Sequence, residues 1–599
     1  MKLSVEYLIG LTAYTNNKDQ QSYMTEALYR WDIQPEMPLS ILETLASYPR
    51  VQRTLLYNRG LPNPAEAAIY LHRQGPLYDP FRLDQMDQAV ATILHAIETG
   101  QEIAVYGDYD VDGVTASCLL VEALEKLGAR VRAYIPNRFE EGYGVNGEAL
   151  QTLHKEGVAL TVTVDCGIRS TGETVLATEL GMQMIICDHH EPSDELPQAA
   201  AVICHKKPGD TYPDKNLAGV GLAFKLAEAL FSRRPIPGVS ATDWLDLVAI
   251  GTVADLVPLT NENRSLVKSG LQQLRQSTRP GILALAEVSR VKLSEITATT
   301  IGFSFGPRLN AAGRLETAWT SLNLMLSKEM RQARELAETL DEQNRRRQEL
   351  TRQTQDQAIQ MMDSDRIPAL IAAADSSFNM GVVGLAASKL SEKYYRPAIV
   401  GAVGEEFTRA SCRSIAEFHI TQALDQCADL LDRHGGHAMA AGFTVRNENW
   451  SKLTRRLLEI AQNQFKGKTL RPSKTADMIL PPDYFREDLL DQIAEMEPFG
   501  YGNPEAVFIL RDLQVKSARA VGADQDHLRL SFITDNNAIL EAIAFRQAFW
   551  NGQLPQRVDV LCTLGKNTWR DRTTLQLNVI DLRPAENGSG AKAESQDSG

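Results

Sequence analysis

At 599 residues, with 43% hydrophobic and 23% charged side chains, the chain has the composition of a globular protein and is too long for one core, so three or four domains are expected. A formal net charge of -14 argues against coating nucleic acid by bulk electrostatics, so a polyanionic ligand would need a local basic groove. Seven cysteines without a C-x-x-C pair, apolar runs no longer than Gly381–Ala387, and an N-terminus lacking a signal-peptide core argue against a disulfide framework, a thiolate zinc site, a membrane span and a leader; a reducing cytoplasm is the expected setting.

Residues 1–85 read as an irregular lead-in with short helical patterns at Leu39–Ala46 and Asn63–Leu71. From residue 86, β-rich runs (Ile103–Tyr106, Val131–Ile135, Leu160–Val164, Met184–Cys187, Ala201–Ile203) alternate with helical patterns at Thr115–Leu127, Gly147–Glu156 and Ser170–Leu180, which predicts a parallel sheet covered on both faces. Residues 328–362 contain neither Gly nor Pro and predict one long helix. Its Arg345-Arg346-Arg347 run either faces DNA or is a solvated face. A second α/β unit follows, with strands at Ala369–Ala374, Pro397–Val403 and Thr408–Ser414, a helix at Val382–Lys393, and a Gly-rich stretch before Phe443–Val445. After residue 475, short strands (Ala506–Leu510, Leu513–Ala520, His527–Ile533, Ile539–Phe545, Val558–Leu564, Thr573–Leu582) suit a small β-barrel, and Glu586–Gly599 reads as a disordered tail.

Acids gather where buried strands end. Asp108, Asp110 and Asp112 alternate in VYGDYDVDG, point one way if the strand stays extended, and tolerate each other only beside cations. An EF-hand is excluded because Leu119 stands where its glutamate belongs. Asp165 closes the next strand, Asp188-His189-His190 the one after, and Asp255 lies in an apolar helix-like stretch. Carboxylates and imidazoles without thiolates suit Mn²⁺ or Mg²⁺, and so many acids suggest two divalent cations roughly 3.5–4 Å apart that activate a water for attack on phosphorus.

These segments, Tyr109–Gly113, Asp165–Gly167, Asp188–His190 and Ala254–Asp255, resemble the ordered motifs of the DHH phosphoesterase family, and Gly435–Gly442 (GGHAMAAG) resembles its DHHA1 partner domain. Pro136–Gly144, Gly306–Arg314 and Glu497–Pro504 are similar to the family's bacterial RecJ branch. The resemblance implies a 5′-to-3′ exonuclease specific for single-stranded DNA, active in repair and recombination. It implies metal ligands at Asp110, Asp112, Asp165, His189 and Asp255, with Asp165 bridging, and His190 against the scissile phosphate or behind the ligands. Asp108 contacts an ion indirectly or is structural. Relatives outside this branch carry a histidine where Tyr106 stands, which leaves open how the first ion completes its shell. Arg308, set in a Gly- and Asn-rich loop, Asn310, and the Gly435-Gly436-His437 turn are expected to bind phosphate, and Arg138, Ser411 and Arg413 the strand's 5′ end. Phe499 and Tyr501 either stack on bases or belong to a packing turn.

The implied fold class is α/β: a DHH catalytic domain (86–325), a connecting helix (326–362), a DHHA1 domain (363–468) and an OB-fold barrel (469–585), after the lead-in (1–85) and before the tail (586–599). A monomer is expected, off the membrane, with a helicase and a single-strand binding protein as partners. Two rival readings are a DHH phosphoesterase for short oligonucleotides or small phosphate esters, and a non-catalytic DNA-binding scaffold. The long helix and extra barrel argue against the first, and the intact set of acids against the second.

Overall fold

The β-rich runs after residue 86 do pair side by side. The computed structural model describes residues 27–585 apart from 73, 74, 76, 139, 143, 363–365, 535, 536, 570 and 571. They fall into two compact units, one of His72–Thr351 with Glu497–Pro504, the other of the described parts of Val5–Leu71, Arg352–Met496 and Glu505–Gly599. The tail Glu586–Gly599 and the first 26 residues lie outside the described residues.

The first unit carries a five-stranded parallel sheet of β1 (Glu102–Gly107), β2 (Arg130–Tyr134), β3 (Val158–Val164), β4 (Gln183–Cys187) and β5 (Ala201–Ile203), in the order β2-β1-β3-β4-β5. The order reverses between β1 and β3, and the crevice at such a switch point, at the strands' carboxyl ends, is where open α/β sheets bind ligands. Alternate residues of β1 feed two different cores. Ile103 and Val105 join a cluster with α1 (Val111–Lys126), α2 (Gly219–Arg233) and α3 (Leu245–Ala254), whereas Ala104 and Tyr106 pack with Ala149, Leu150 and Leu153 on the other face. Both faces are therefore covered, as the near-continuous apolar strands require. Helices continue through α4 (Gly306–Leu315) into the 31-residue α5 (Met330–Gln360).

The second unit holds a mixed sheet of β6 (Ile371–Asp375), β7 (Ala398–Val403), β8 (Phe407–Arg413), β9 (Leu431–Gly436) and β10 (Ala440–Arg446), ordered β9-β10-β8-β7-β6, with α6 (Val383–Tyr394) packed on β7 and β8. It also holds a barrel of β11 (Phe508–Val521), β12 (His527–Ile533), β13 (Ile539–Ala544), β14 (Arg557–Trp569) and β15 (Arg572–Pro584), closed by pairing of β11 with β14. The two strands expected at 506–510 and 513–520 are one, bent where Asp512 adopts φ 54° and the register shifts. Residues 27–72 are more regular than their sequence suggests. Arg30–Ile33 pairs in parallel with Ser473–Ala476, and helices form at Leu39–Thr44, Arg50–Asn58 and Pro64–His72. Asp581 anchors this segment by accepting from Leu28 N, Tyr29 N and Trp31 Nε1 at 2.8–3.0 Å, a contact more than 500 residues away that no local pattern announces.

Candidate metal centre and active site

The acid-rich stretch after β1 does not stay extended. β1 stops at Gly107, and Asp110 becomes the N-cap of α1, its Oδ1 accepting from Asp112 N (2.9 Å) and Gly113 N (3.1 Å). The expected common direction of Asp108, Asp110 and Asp112 therefore gives way to a split. Asp112 sits in the first turn of α1, where its two oxygens accept from Gly219 N (2.6 Å) and Val220 N (2.8 Å) at the start of α2. Asp108 turns toward Asp110 and Asp165. Gly113 makes the tight passage possible, since a Cβ there would lie 2.5 Å from the Asp108 carbonyl oxygen.

Asp165 follows β3 with φ 62°, a left-handed conformation uncommon for a residue other than glycine and held by its N–H to Cys187 O. His189 and His190 follow β4. Asp188 is a holder rather than a ligand: its Oδ2 accepts from Ile168 N (2.9 Å), and its Oδ1 lies 2.8 Å from His190 Nδ1. Asp255 is the C-cap of α3 and partly exposed, not the buried mid-helix acid its apolar surroundings suggested.

Three sets of ligand atoms converge, each within 4.8 Å: Asp108, Asp110 and Asp165; Asp112, His189 and Asp255; and Asp165, His189 and His190. His189 Nε2 lies 3.1 Å from Asp165 Oδ1, 3.7 Å from Asp255 and 3.8 Å from Asp112, yet makes no hydrogen bond with any of them. Close approach without donor alignment is the geometry of ligands aimed at a shared point. Asp108 Oδ1, Asp165 Oδ1 and both His189 ring nitrogens are buried without a hydrogen-bond partner, a costly state that divalent cations would relieve.

The electrostatics agree. Burial, then the charge of Asp110, pushes Asp112 up to about 7, and burial with Asp112 and Asp110 pushes Asp255 up to about 9. Burial and neighbouring carboxylates hold Asp108 and Asp165 well above the usual range. Burial, helped by His190, takes His189 down to about 3, leaving the neutral imidazole that a metal needs. Burial opposes charge on His190 too, but the Asp188 hydrogen bond outweighs it and the pKa rises. The donor set of oxygens and imidazole fits Mn²⁺ or Mg²⁺. Burial raises the Cys166 and Cys187 thiols, so neither offers a thiolate.

Tyr106 takes no part. Its side chain projects to the opposite face of the sheet, stacks on Tyr134 at 5.0 Å, donates to Gly144 O and accepts from Asn146 N.

The cleft over the acids, about 320 Å³, is lined by Asp108, Asp110, Asp112 and Asp255 and by Tyr109, Arg138, Asn310 and Arg314. Arg138 lies 5.0 Å over the Tyr109 ring. Asn310 Oδ1 accepts from Val111 N and so steadies the first turn of α1. Arg308, expected on a phosphate-binding loop, stands instead on helix α4, away from the cleft lining, its Nε bound to Asp341 (2.9 Å) and its Nη1 to Ser304 O (2.9 Å). A Gly-Pro start at the helix N-terminus reads locally as a loop, but Pro at the first turn suits a helix. Arg314, at the end of the same segment, was not singled out from sequence; its helical spacing from Asn310 was the available signal.

In the second unit, Ser411 and Arg413 lie on β8 facing the first turn of α6, where a Cβ at Gly384 would lie 3.4 Å from Arg413 Nη2 and 3.5 Å from Ser411 Oγ. Gly436, at φ 141°, has its Cα so close to the β10 backbone that a Cβ would meet Ala440 O at 2.4 Å, and His437 beside it is exposed.

Three family models match successive parts of the chain: the DHH family N-terminal domain over residues 102–252, the DHHA1 domain over 367–467 and the RecJ OB domain over 476–581. The single-stranded-DNA-specific exonuclease RecJ of Dickeya dadantii is 34% identical over 91% of this chain and 98% of its own length. The chain belongs to the RecJ family. RecJ of Bacillus subtilis is 37% identical over 94% of this chain and 72% of its own. The crystal structure of Thermus thermophilus RecJ in complex with Mn²⁺ superposes with a TM-score of 0.80 at 30% identity, covering 93% of this chain and 80% of that one. The DHH, DHHA1 and OB order of the RecJ family is the order of the sheets described above, and no helix among the described residues is long and apolar enough to cross a membrane.

Proposed function

We propose that the chain is a Mn²⁺- or Mg²⁺-dependent exonuclease for single-stranded DNA that uses two cations and proceeds from the 5′ end. The observation that carries the reading is the convergence of Asp108, Asp110, Asp112, Asp165, His189 and Asp255 with orphaned buried ligand atoms at the sheet's switch point, in a member of a family of single-strand-specific exonucleases. Asp110, Asp165 and Asp108 would hold one ion, and Asp112, His189 and Asp255 the other, with Asp165 of the first set 3.1 Å from His189 of the second. Bound cations supply an activated water and offset charge on the phosphate.

The chain's own residues do the rest. Asp188 fixes His190, half-exposed and cationic toward lower pH, where it contacts the scissile phosphate or hands a proton to the leaving oxygen. Arg138, in the turn after β2, and Arg314, on α4, line the cleft and counter phosphate charge, while Asn310 ties α4 to the first turn of α1 and the Arg308–Asp341 pair ties it to α5. The Ser411, Arg413 and Gly384 cluster, together with the Gly436-His437 turn, suits a terminal phosphate, which supports action from an end. We further take the protein to act as a cytoplasmic monomer beside a helicase and a single-strand binding protein, as family membership implies.

The test is a time course on one strand labelled at its 5′ or 3′ end, with EDTA, Mn²⁺ or Mg²⁺. Metal-dependent early release of the 5′ label is expected. Early release of the 3′ label would reverse the polarity, and cleavage of a closed single-stranded circle at the linear rate would remove the end pocket.

A further inference from the structure

Two surface features beside the acids are explained by neither packing nor turn chemistry. Helix α3 is capped by Asp255, and Leu256 follows at φ 60° with 58% of its surface exposed. Glycine is the strain-free choice at a left-handed position after a helix cap. Leucine there carries a backbone penalty and puts an apolar side chain in water, so its presence asks for another partner.

The second feature comes from far along the chain. The turn Glu497–Pro504 packs on the segment just past Asp255, with Leu259 N donating to Tyr501 O at 2.7 Å. The fit is close at Gly500 and Gly502, where a Cβ would lie 2.7 Å from Leu259 Cδ1 and 2.8 Å from Pro258 Cβ. Gly500 and Asn503 exchange backbone hydrogen bonds, and the buried Asn503 donates through Nδ2 to Pro498 O at 2.8 Å. So rigid a turn would be expected to bury its aromatic residue, yet Tyr501 is 64% exposed. Leu256 directly follows the proposed ligand Asp255, and the Tyr501 turn is joined to Leu259, at most about 14 Å of chain from Asp255.

We propose that Tyr501 and Leu256 form an apolar seat for the nucleobases next to the scissile phosphate, Tyr501 stacking on one base and Leu256 bearing on its neighbour. This rests on the single-strand exonuclease reading and assigns it a specificity element. A ring on a fixed turn loses little freedom on binding. Stacking accepts every base, as an enzyme that degrades any sequence requires. In a duplex, pairing holds each base in the stack with its faces against its neighbours, so a face is offered to the seat more readily by a single strand.

The test compares wild type, Tyr501→Ala, Tyr501→Phe and Leu256→Gly in Mn²⁺ on a 5′-phosphorylated strand and on an otherwise identical strand of abasic residues. Tyr501→Ala should raise KM for the ordinary strand on the order of 10-fold with kcat little changed, and Tyr501→Phe should match wild type. Leu256→Gly should melt no lower than wild type yet raise KM several-fold, a combination that a merely structural leucine would not give. On the abasic strand wild type and Tyr501→Ala should coincide. Wild-type KM for both Tyr501→Ala and Leu256→Gly on the ordinary strand overturns the seat, as does an equal Tyr501→Ala defect on the abasic strand. If wild type cleaves neither strand, the exonuclease reading itself fails, before any variant is compared.

Discussion

Replacing Gly219 with alanine places a methyl group where Asp165 already is. The new Cβ would lie 2.6 Å from Asp165 Cβ and 2.8 Å from its Oδ1, whereas carbon atoms pack best about 3.5–4.0 Å apart. Roughly 1 Å must be found by moving either Asp165, fixed in its left-handed turn between β3 and Gly167, or the start of α2, whose N–H groups hold Asp112. Either movement displaces a proposed ligand, and misplacement by about 1 Å costs on the order of 10²-fold in rate, or about 2.7 kcal/mol. Alanine is otherwise favourable in a helix, so the fold should survive with a cost of about 1–3 kcal/mol from overpacking. Gly221→Ala is the control in the same helix, because its Cβ would make only a 3.4 Å contact with Leu217. Single-turnover hydrolysis and calorimetric titration with Mn²⁺ should show Gly219→Ala slow and weak in metal binding, and Gly221→Ala close to wild type. Gly219→Ala with wild-type rate and Mn²⁺ affinity would refute the placement of Asp165 and Asp112 at the centre.

Removing the metal should make stability depend on pH. With Asp112 near 7 and Asp255 near 9, both above the unfolded value of about 4, the folded metal-free protein keeps protons that the unfolded chain has lost. The contribution of these two acids to stability should therefore fall as pH rises from about 4 to about 9, while Mn²⁺ suppresses that slope; equal slopes of melting temperature in EDTA and in Mn²⁺ would contradict this. Asp188→Asn should lower activity about 10- to 100-fold by freeing His190, at a stability cost of about 1–3 kcal/mol because its amide nitrogen must face an N–H of Ile168 or His190; an unchanged rate would show that His190 needs no holder. Glu262→Ala should destabilise the first unit by about 1–3 kcal/mol, since it removes one of the two carboxylates on the fully buried Lys225 (2.7 Å, with Glu228 remaining at 2.9 Å) and the acceptor for Tyr212 OH and Tyr78 N. A thermal melt that shows no drop would rule out that buried network as a support.

Much of the site was legible in the sequence because its signals are short-range. A β-rich run ending in an acid fits within about ten residues, and repetition of that pattern at three successive strand ends already marks the carboxyl edge of a parallel sheet. Asp165 and Asp188-His189-His190 were read in this way, and the Gly-free, Pro-free run through 328–362 gave α5.

Which acids face one another was not legible, because it depends on contacts between residues tens to more than a hundred positions apart. Asp112 is oriented by the N-terminus of α2, 107 residues on, and Arg308 is drawn to Asp341 on α5 while Arg314 reaches the cleft. Tyr106 follows the alternation of β1 to the far face of the sheet, and the Tyr501 turn closes on Pro258 and Leu259 only because two glycines allow it. Local propensity sets where strands and helices begin and end. The chain crossovers and the close packing between elements decide which side chains share a cleft, and a window of neighbouring residues contains neither.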